Sequence, residues 1–149
     1  MPLILSMEDQ TTLKAWAAPR CDCNGAWPAH SIAMGVVDSE TGAIRAVWVI
    51  VHTYQTHCDV HMASDGTRGW VSRNTLGGLW GYVFYILKVE QAQGIVGAGN
   101  TQALCSALKM GWEIETRLRN VMDDGGDGVM IIMHRDRCKW IQDQESDHG

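Results

Sequence analysis

The chain has little of what marks a binder of nucleic acid or a membrane protein. Its 12 Lys and Arg fall short of its 17 Asp and Glu, for a formal charge of −5. Proteins that hold nucleic acid usually show a basic face, so nucleic acid is not an expected partner. The longest apolar run, around Ala46–Val51, is far too short for a bilayer, which needs roughly 20 residues. The N-terminus lacks the charged-then-apolar layout of a secretory leader. Five cysteines, an odd number, do not make a disulfide framework, and a reducing cytoplasm is the expected setting. Neither C-x-x-C nor H-E-x-x-H occurs, and no repeat or low-complexity tract is present.

What is there suits one globular domain. With 149 residues, 46% hydrophobic and 19% charged, the chain can bury a substantial core. The expected division is a single domain over 1–141 and a polar tail over 142–149. Pro2–Leu5 reads as an edge strand. Ser6 followed by Asp9 is a weak capping box before a helix through Leu13, Trp16 and Ala17 that ends ahead of Pro19. Arg20–Pro28, with Asn24-Gly25, reads as loop. Ile32–Val37 and Ala43–Tyr54 are strands about a turn at Asp38–Gly42. Val47–Val51 is apolar on both faces, as a strand covered on both sides should be.

His57–Met62 alternates, with Cys58, Val60 and Met62 on one face and His57, Asp59 and His61 on the other. After a turn at Ser64–Gly66, a helix over about Ser72–Lys88 carries the stripe Leu76, Leu79, Trp80, Val83 and Leu87. Gly77, Gly78 and Gly81 interrupt it, each costing up to ~1 kcal/mol against Ala, which suggests close approach to a sheet or ligand. Ile114–Val121 and Val129–His134 form a hairpin about Met122–Gly128, and Arg135–Ile141 closes the domain.

Gly99–Trp112 is the most informative stretch. The apolar run Gly94–Ala98 reads as a buried strand leading into it. Asn100 can cap a helix, and Ala103, Leu104, Ala107 and Leu108 fall on one helical face. Lys109 suits the last turn. Gly111 can stop the helix in the left-handed conformation, with Trp112 packing back.

Strand, Asn100, Ala103 and then Lys109-Met110-Gly111-Trp112 resembles the second conserved block of the GNAT-type N-acetyltransferases. The element order over roughly 31–141 is also similar to that family. The resemblance implies an α/β fold, a mostly antiparallel mixed sheet splayed near its middle and flanked by helices. The chain looks closest to compact GNAT-like proteins of phages and prophages, through the pattern Met133–Ile141. It further implies acetyl-CoA as cosubstrate, an amine as acceptor, and dimers as a common assembly.

In that family a loop of Gln or Arg, two residues, Gly, one residue, then Gly or Ala binds the pyrophosphate through amides at a helix N-terminus. Arg68, Gly69, Trp70, Val71, Ser72 and Arg73 occupy that place, but only Arg68 fits. Val71 and Arg73 stand where small residues belong. Asn100 is expected beside the pantetheine arm, and a backbone amide near Met62, within Val60–Ala63, beside the thioester carbonyl. The family's general-acid Tyr is replaced by Ala107, and neither Cys105 nor Ser106 can be given its role from sequence. His61 and Asp59 are the candidate bases, histidine being suited to taking a proton near neutrality; an edge-facing His bonded to a neighbouring strand is the alternative.

His52, His57, Cys58 and His61 are crowded, with Cys21, Cys23 and His30 upstream. Cys58 points away from His57 and His61, so no shared metal site is expected. Asp123, Asp124 and Asp127 lack EF-hand spacing and read as a hairpin connection able to attract a cationic amine. Three functions follow: an acyl-CoA-dependent N-acyltransferase, a GNAT-fold binding or accessory protein without acyl transfer, and a GNAT-like enzyme acting on nucleic acid.

Overall fold

The computed structural model describes residues 2–21 and 27–141. The Asn24-Gly25 turn, Cys23 and the tail 142–149 lie outside the described residues. Seven strands form one sheet: β1 (Leu3–Ser6), β2 (Ile32–Asp38), β3 (Ile44–Thr53), β4 (His57–Ser64), β5 (Gln91–Gly97), β6 (Glu113–Leu118) and β7 (Gly128–His134). Their order is β1-β2-β3-β4-β5-β7-β6. Every neighbouring pair is antiparallel except β4 and β5, which run parallel.

Three helices cover the sheet: α1 (Gln10–Ala17), α2 (Arg73–Gly81) and α3 (Thr101–Met110). The alternation of β3 divides the core between its two faces. Ala46, Trp48 and Ile50 join Leu76, Leu79 and Trp80 of α2 and Ala107 and Met110 of α3. Val47, Val49 and Val51 join Leu13 and Ala17 of α1. A strand covered on both sides is therefore what Val47–Val51 becomes.

Trp48, Trp80 and Trp112 meet in the first of these clusters. Trp48 packs edge-on against Trp80 at 4.8 Å between ring centroids, and Trp80 lies 5.1 Å from Trp112. Their indole N–H groups have no hydrogen-bond acceptor among the described residues; edge-to-face packing of the rings contributes instead.

Several local expectations need correction. The cap of α1 is Asp9 alone, whose side chain accepts from the Thr12 amide, while Ser6 accepts from Glu8. α1 does end ahead of Pro19, at Ala17, and the chain tightens there into a 3₁₀ turn over Ala18–Cys21, where proline needs no donor. The regular part of the second helix stops at Gly81, and a π-helical turn over Tyr82–Ile86 follows. Of its glycines, Gly78 has a clear role: a Cβ there would collide with Leu5 Cδ1, so the residue lets α2 press against β1.

Candidate active site

β4 and β5 are joined only at His57–Gln91, Cys58–Ala92 and Asp59–Gln93. Beyond Asp59, β4 continues with β3 alone, through Val60–Ile50 to Ser64–Ala46. Beyond Gln93, β5 continues with β7 alone, through Gly94–Ile131 to Gly97–Gly128. The strands part, leaving a cavity of about 320 Å³ between Val60–Ser64 on one side and Gly94–Gly97 on the other. Trp70, Asn100, Ala103, Ser106 and Met110 line it from the α2 and α3 side, and Arg20 and Cys21 from the α1 side.

Backbone groups of β4 that would have met β5 therefore face the opening. An ideal Cβ on Gly94 would lie 3.3 Å from the Val60 carbonyl oxygen, which places that carbonyl on the β5 side. By strand alternation Met62 shares this edge, and its carbonyl accepts the Cys21 thiol at 3.6 Å. The Met62 N–H lies on the same edge, aimed at the cavity.

Asp59 and His61 lie on the α1 face of β4, the face that carries Ala63 into the α1 core. His61 lines the cavity and meets the Trp27 ring edge-on at 5.3 Å between centroids. Burial holds the His61 pKa below its ordinary value, opposed by the charge of Asp59. A neutral imidazole at neutral pH follows. Cys58, on the opposite face, is fully buried, and burial pushes its thiol up to about 12 with Asp59 adding to the effect. It is an inert core residue.

Asn100 caps α3 as expected, its side chain accepting from the Ala103 amide at 3.2 Å. At the other end Gly111 takes φ 103°, with its N–H on Leu108 and the Trp112 N–H on Ala107, a complete Schellman stop. The buried stripe differs from the expected one. Leu108 is 46% exposed, and Met110 takes its place in the core. Cys105 is exposed, and of Cys105, Ser106 and Ala107 it is Ser106 that reaches the cavity. β5 is not a buried strand either: Ile95 is 42% exposed, and among the described residues the α1-side core takes in β2, β3 and β4 but no residue of β5.

The Arg68–Arg73 loop is only partly at the site. Trp70 is buried and forms a wall, while Arg68, Gly69, Val71 and Arg73 are exposed and do not line the cavity. Ser72 caps α2 in a reciprocal box with Thr75: each backbone N–H is held by the other's hydroxyl. The Thr75 hydroxyl also reaches the Trp70 carbonyl, and the Val71 amide donates to Arg68. Two amides of the expected phosphate cradle, those of Val71 and Ser72, thus already have partners. Asp123, Asp124 and Asp127 border an adjoining depression that shares Gly97, Asn100 and Met122 with the slot, and Asp127 is paired there with Arg117 at 2.9 Å.

Arg20, Cys21, Trp27, Gly94 and Ser106 were not singled out as site residues by sequence. Only the parting of two strands far apart in the chain brings them together, though Gly94 carried a signal as a glycine inside an apolar strand.

No protein-family model matches the chain, and no curated protein sequence matches it. Solved structures do. A spermidine/spermine N-acetyltransferase, SpeG from Vibrio cholerae, is similar at TM-score 0.74 and 11% identity, over 95% of this chain and 99% of that one. A ribosomal-protein-S5-alanine acetyltransferase from Vibrio fischeri is similar at TM-score 0.61 and 13% identity, over 73% of this chain and 64% of that one. The chain has the fold of the GNAT-type N-acetyltransferases: a seven-stranded mixed sheet, parted in its middle and flanked by helices.

Proposed function

We propose that the chain is an acyl-CoA-dependent N-acyltransferase that passes an acetyl group directly to an amine. The carrying observation is the parting of β4 and β5 after Asp59 and Gln93, which leaves a slot lined by residues from both faces of the sheet. A pantetheine arm fits such a slot as a third, strand-like element, with Asn100 near it. The Met62 amide would polarise the thioester carbonyl. His61, with Asp59 behind it, would take the proton as the acceptor nitrogen attacks. A C–N bond forms, the C–S bond breaks, and CoA leaves as thiolate. Arg68 and Arg73 would add charge near the phosphates, in place of a fully open amide cradle.

The acceptors named for the neighbours, spermidine or spermine and a ribosomal-protein alanine, set the first panel to try. Thiol release from acetyl-CoA should depend on one of these amines, and millimolar acetyl-CoA should raise the melting temperature by linkage. Absence of both effects would sink the proposal. Among the described residues no helix is long and apolar enough to cross a membrane, which accords with a cytoplasmic enzyme. A homodimer and a phage origin remain parts of the same reading.

A second reading is favoured by the Ser72–Thr75 box: a GNAT-fold binding or accessory protein that no longer transfers acyl groups. It predicts a melting shift with CoA but no thiol release with any amine. Action on nucleic acid would instead show as a salt-dependent gel shift.

A further inference from the structure

A pair of imidazoles stands apart from the slot. His30 Nε2 and His52 Nδ1 are 3.1 Å apart, with ring centroids at 5.1 Å. Register brings them together. Ile32 pairs with Ile50, so continuing the antiparallel ladder two residues outward sets His30 opposite His52. Both backbones are held. The turn before β2 is closed by the Ser31 amide and hydroxyl on the Pro28 carbonyl at 3.0 and 2.6 Å. His52 lies at the irregularity of β3, directly opposite Asp59.

We propose that His30 and His52 form a binding site for a borderline divalent transition ion: zinc, nickel or copper(II). Metal–imidazole bonds of ~2.0–2.1 Å at roughly right or tetrahedral angles place two ligand nitrogens about 3 Å apart, the spacing already present. Imidazole ligands select such ions over magnesium or calcium, which take oxygen ligands. Among the described residues no group of three or more His, Cys, Asp or Glu converges, so water completes the coordination and the ion exchanges readily. His30 is exposed, which gives the ion a path in. The bound cation would sit one strand from Asp59, on the face where the amine is proposed to arrive.

The test is calorimetric titration of the whole protein with zinc chloride and with nickel chloride, beside His30→Ala, His52→Ala and His57→Ala. His57 is the control, because its ring stacks on Tyr54 and bonds Thr56 rather than joining the pair. One ion per chain is expected in the parent and in His57→Ala, with at least tenfold weaker binding in the other two. Circular dichroism checks that each variant folds. Binding unchanged in His30→Ala and His52→Ala, binding lost only in His57→Ala, or no binding up to millimolar ion would each overturn the proposal. The last outcome would leave a plain imidazole–imidazole hydrogen bond. None of these readouts involves acyl transfer, so the result stands apart from that of the proposed activity.

Discussion

Asp59 and Gln93 face each other as the last residues that join β4 to β5. One step further, Val60 and Gly94 belong to strands that have separated, each keeping only its outer partner. Hydrogen-bonding groups that a closed sheet would satisfy internally are left for a ligand.

His61→Ala is expected to lower kcat for amine acylation by about 10²–10⁴-fold, the usual contribution of a positioned base. Because burial depresses the His61 pKa, the parent's acid limb should lie below the ordinary histidine value of ~6.5. The sign for stability follows. The unfolded chain binds a proton at His61 before the folded one does, so stability is full above ~6.5 and falls as pH drops through and below it. A kcat/KM profile whose acid limb is unchanged in His61→Ala would remove the residue from the mechanism.

Asn100 holds two proposed tasks that substitution can separate. Asn100→Ala removes the cap of α3, costing about 1 kcal/mol, or ~2–4 °C in Tm for a domain of this size. Asn100→Ser keeps a side-chain oxygen at the cap and should leave Tm nearly unchanged. If Asn100 also touches the acyl carrier, the acetyl-CoA-induced Tm shift shrinks in both variants. A full shift in Asn100→Ser would confine the residue to capping.

Gly94→Ala tests the width of the slot. The added Cβ would stand 3.3 Å from the Val60 carbonyl oxygen and 3.5 Å from Ile131 Cγ1. Overpacking there costs about 1–3 kcal/mol and should raise KM for acetyl-CoA more than KM for the amine. Urea unfolding together with both KM values checks it; equal effects on the two would count against the slot as the carrier's seat.

The face of α3 is checked by a pair of truncations. Met110→Ala should cost about 2–5 kcal/mol, as large-to-small core changes do, because Met110 is buried against the core. Leu108→Ala, on the exposed side, should stay within about 0.5 kcal/mol. Chemical denaturation of both variants would expose a misplaced face at once.

Much of this was readable from the chain because it is local. Asn100 and Gly111 announce both ends of α3, and each meets its partners within a few residues. The alternation of His57–Met62 correctly split Cys58 from His61. Leu108 failed because periodicity offers two adjacent faces, and only the position of the sheet decides between Leu108 and Met110. Gly94–Ala98 failed for a related reason: an apolar strand looks buried, but β5 borders an opening, and an opening between distant strands leaves no periodic trace. Ser72 was read only as part of a phosphate loop; its box with Thr75, and the competition of that box with a cradle, show only in the fold, where Trp70 is turned into the core.

The three indoles Trp48, Trp80 and Trp112 draw a last consequence. Trp48 stands on β3, in the half of the sheet on one side of the gap, and Trp112 enters β6 in the other half. Trp80 touches both. The two jaws are thus riveted at the back, and their gape is fixed when the chain folds rather than prised open by an arriving molecule. Entry of a guest should accordingly speed up in direct proportion to its concentration, with no lag and no ceiling set by a slow change of shape.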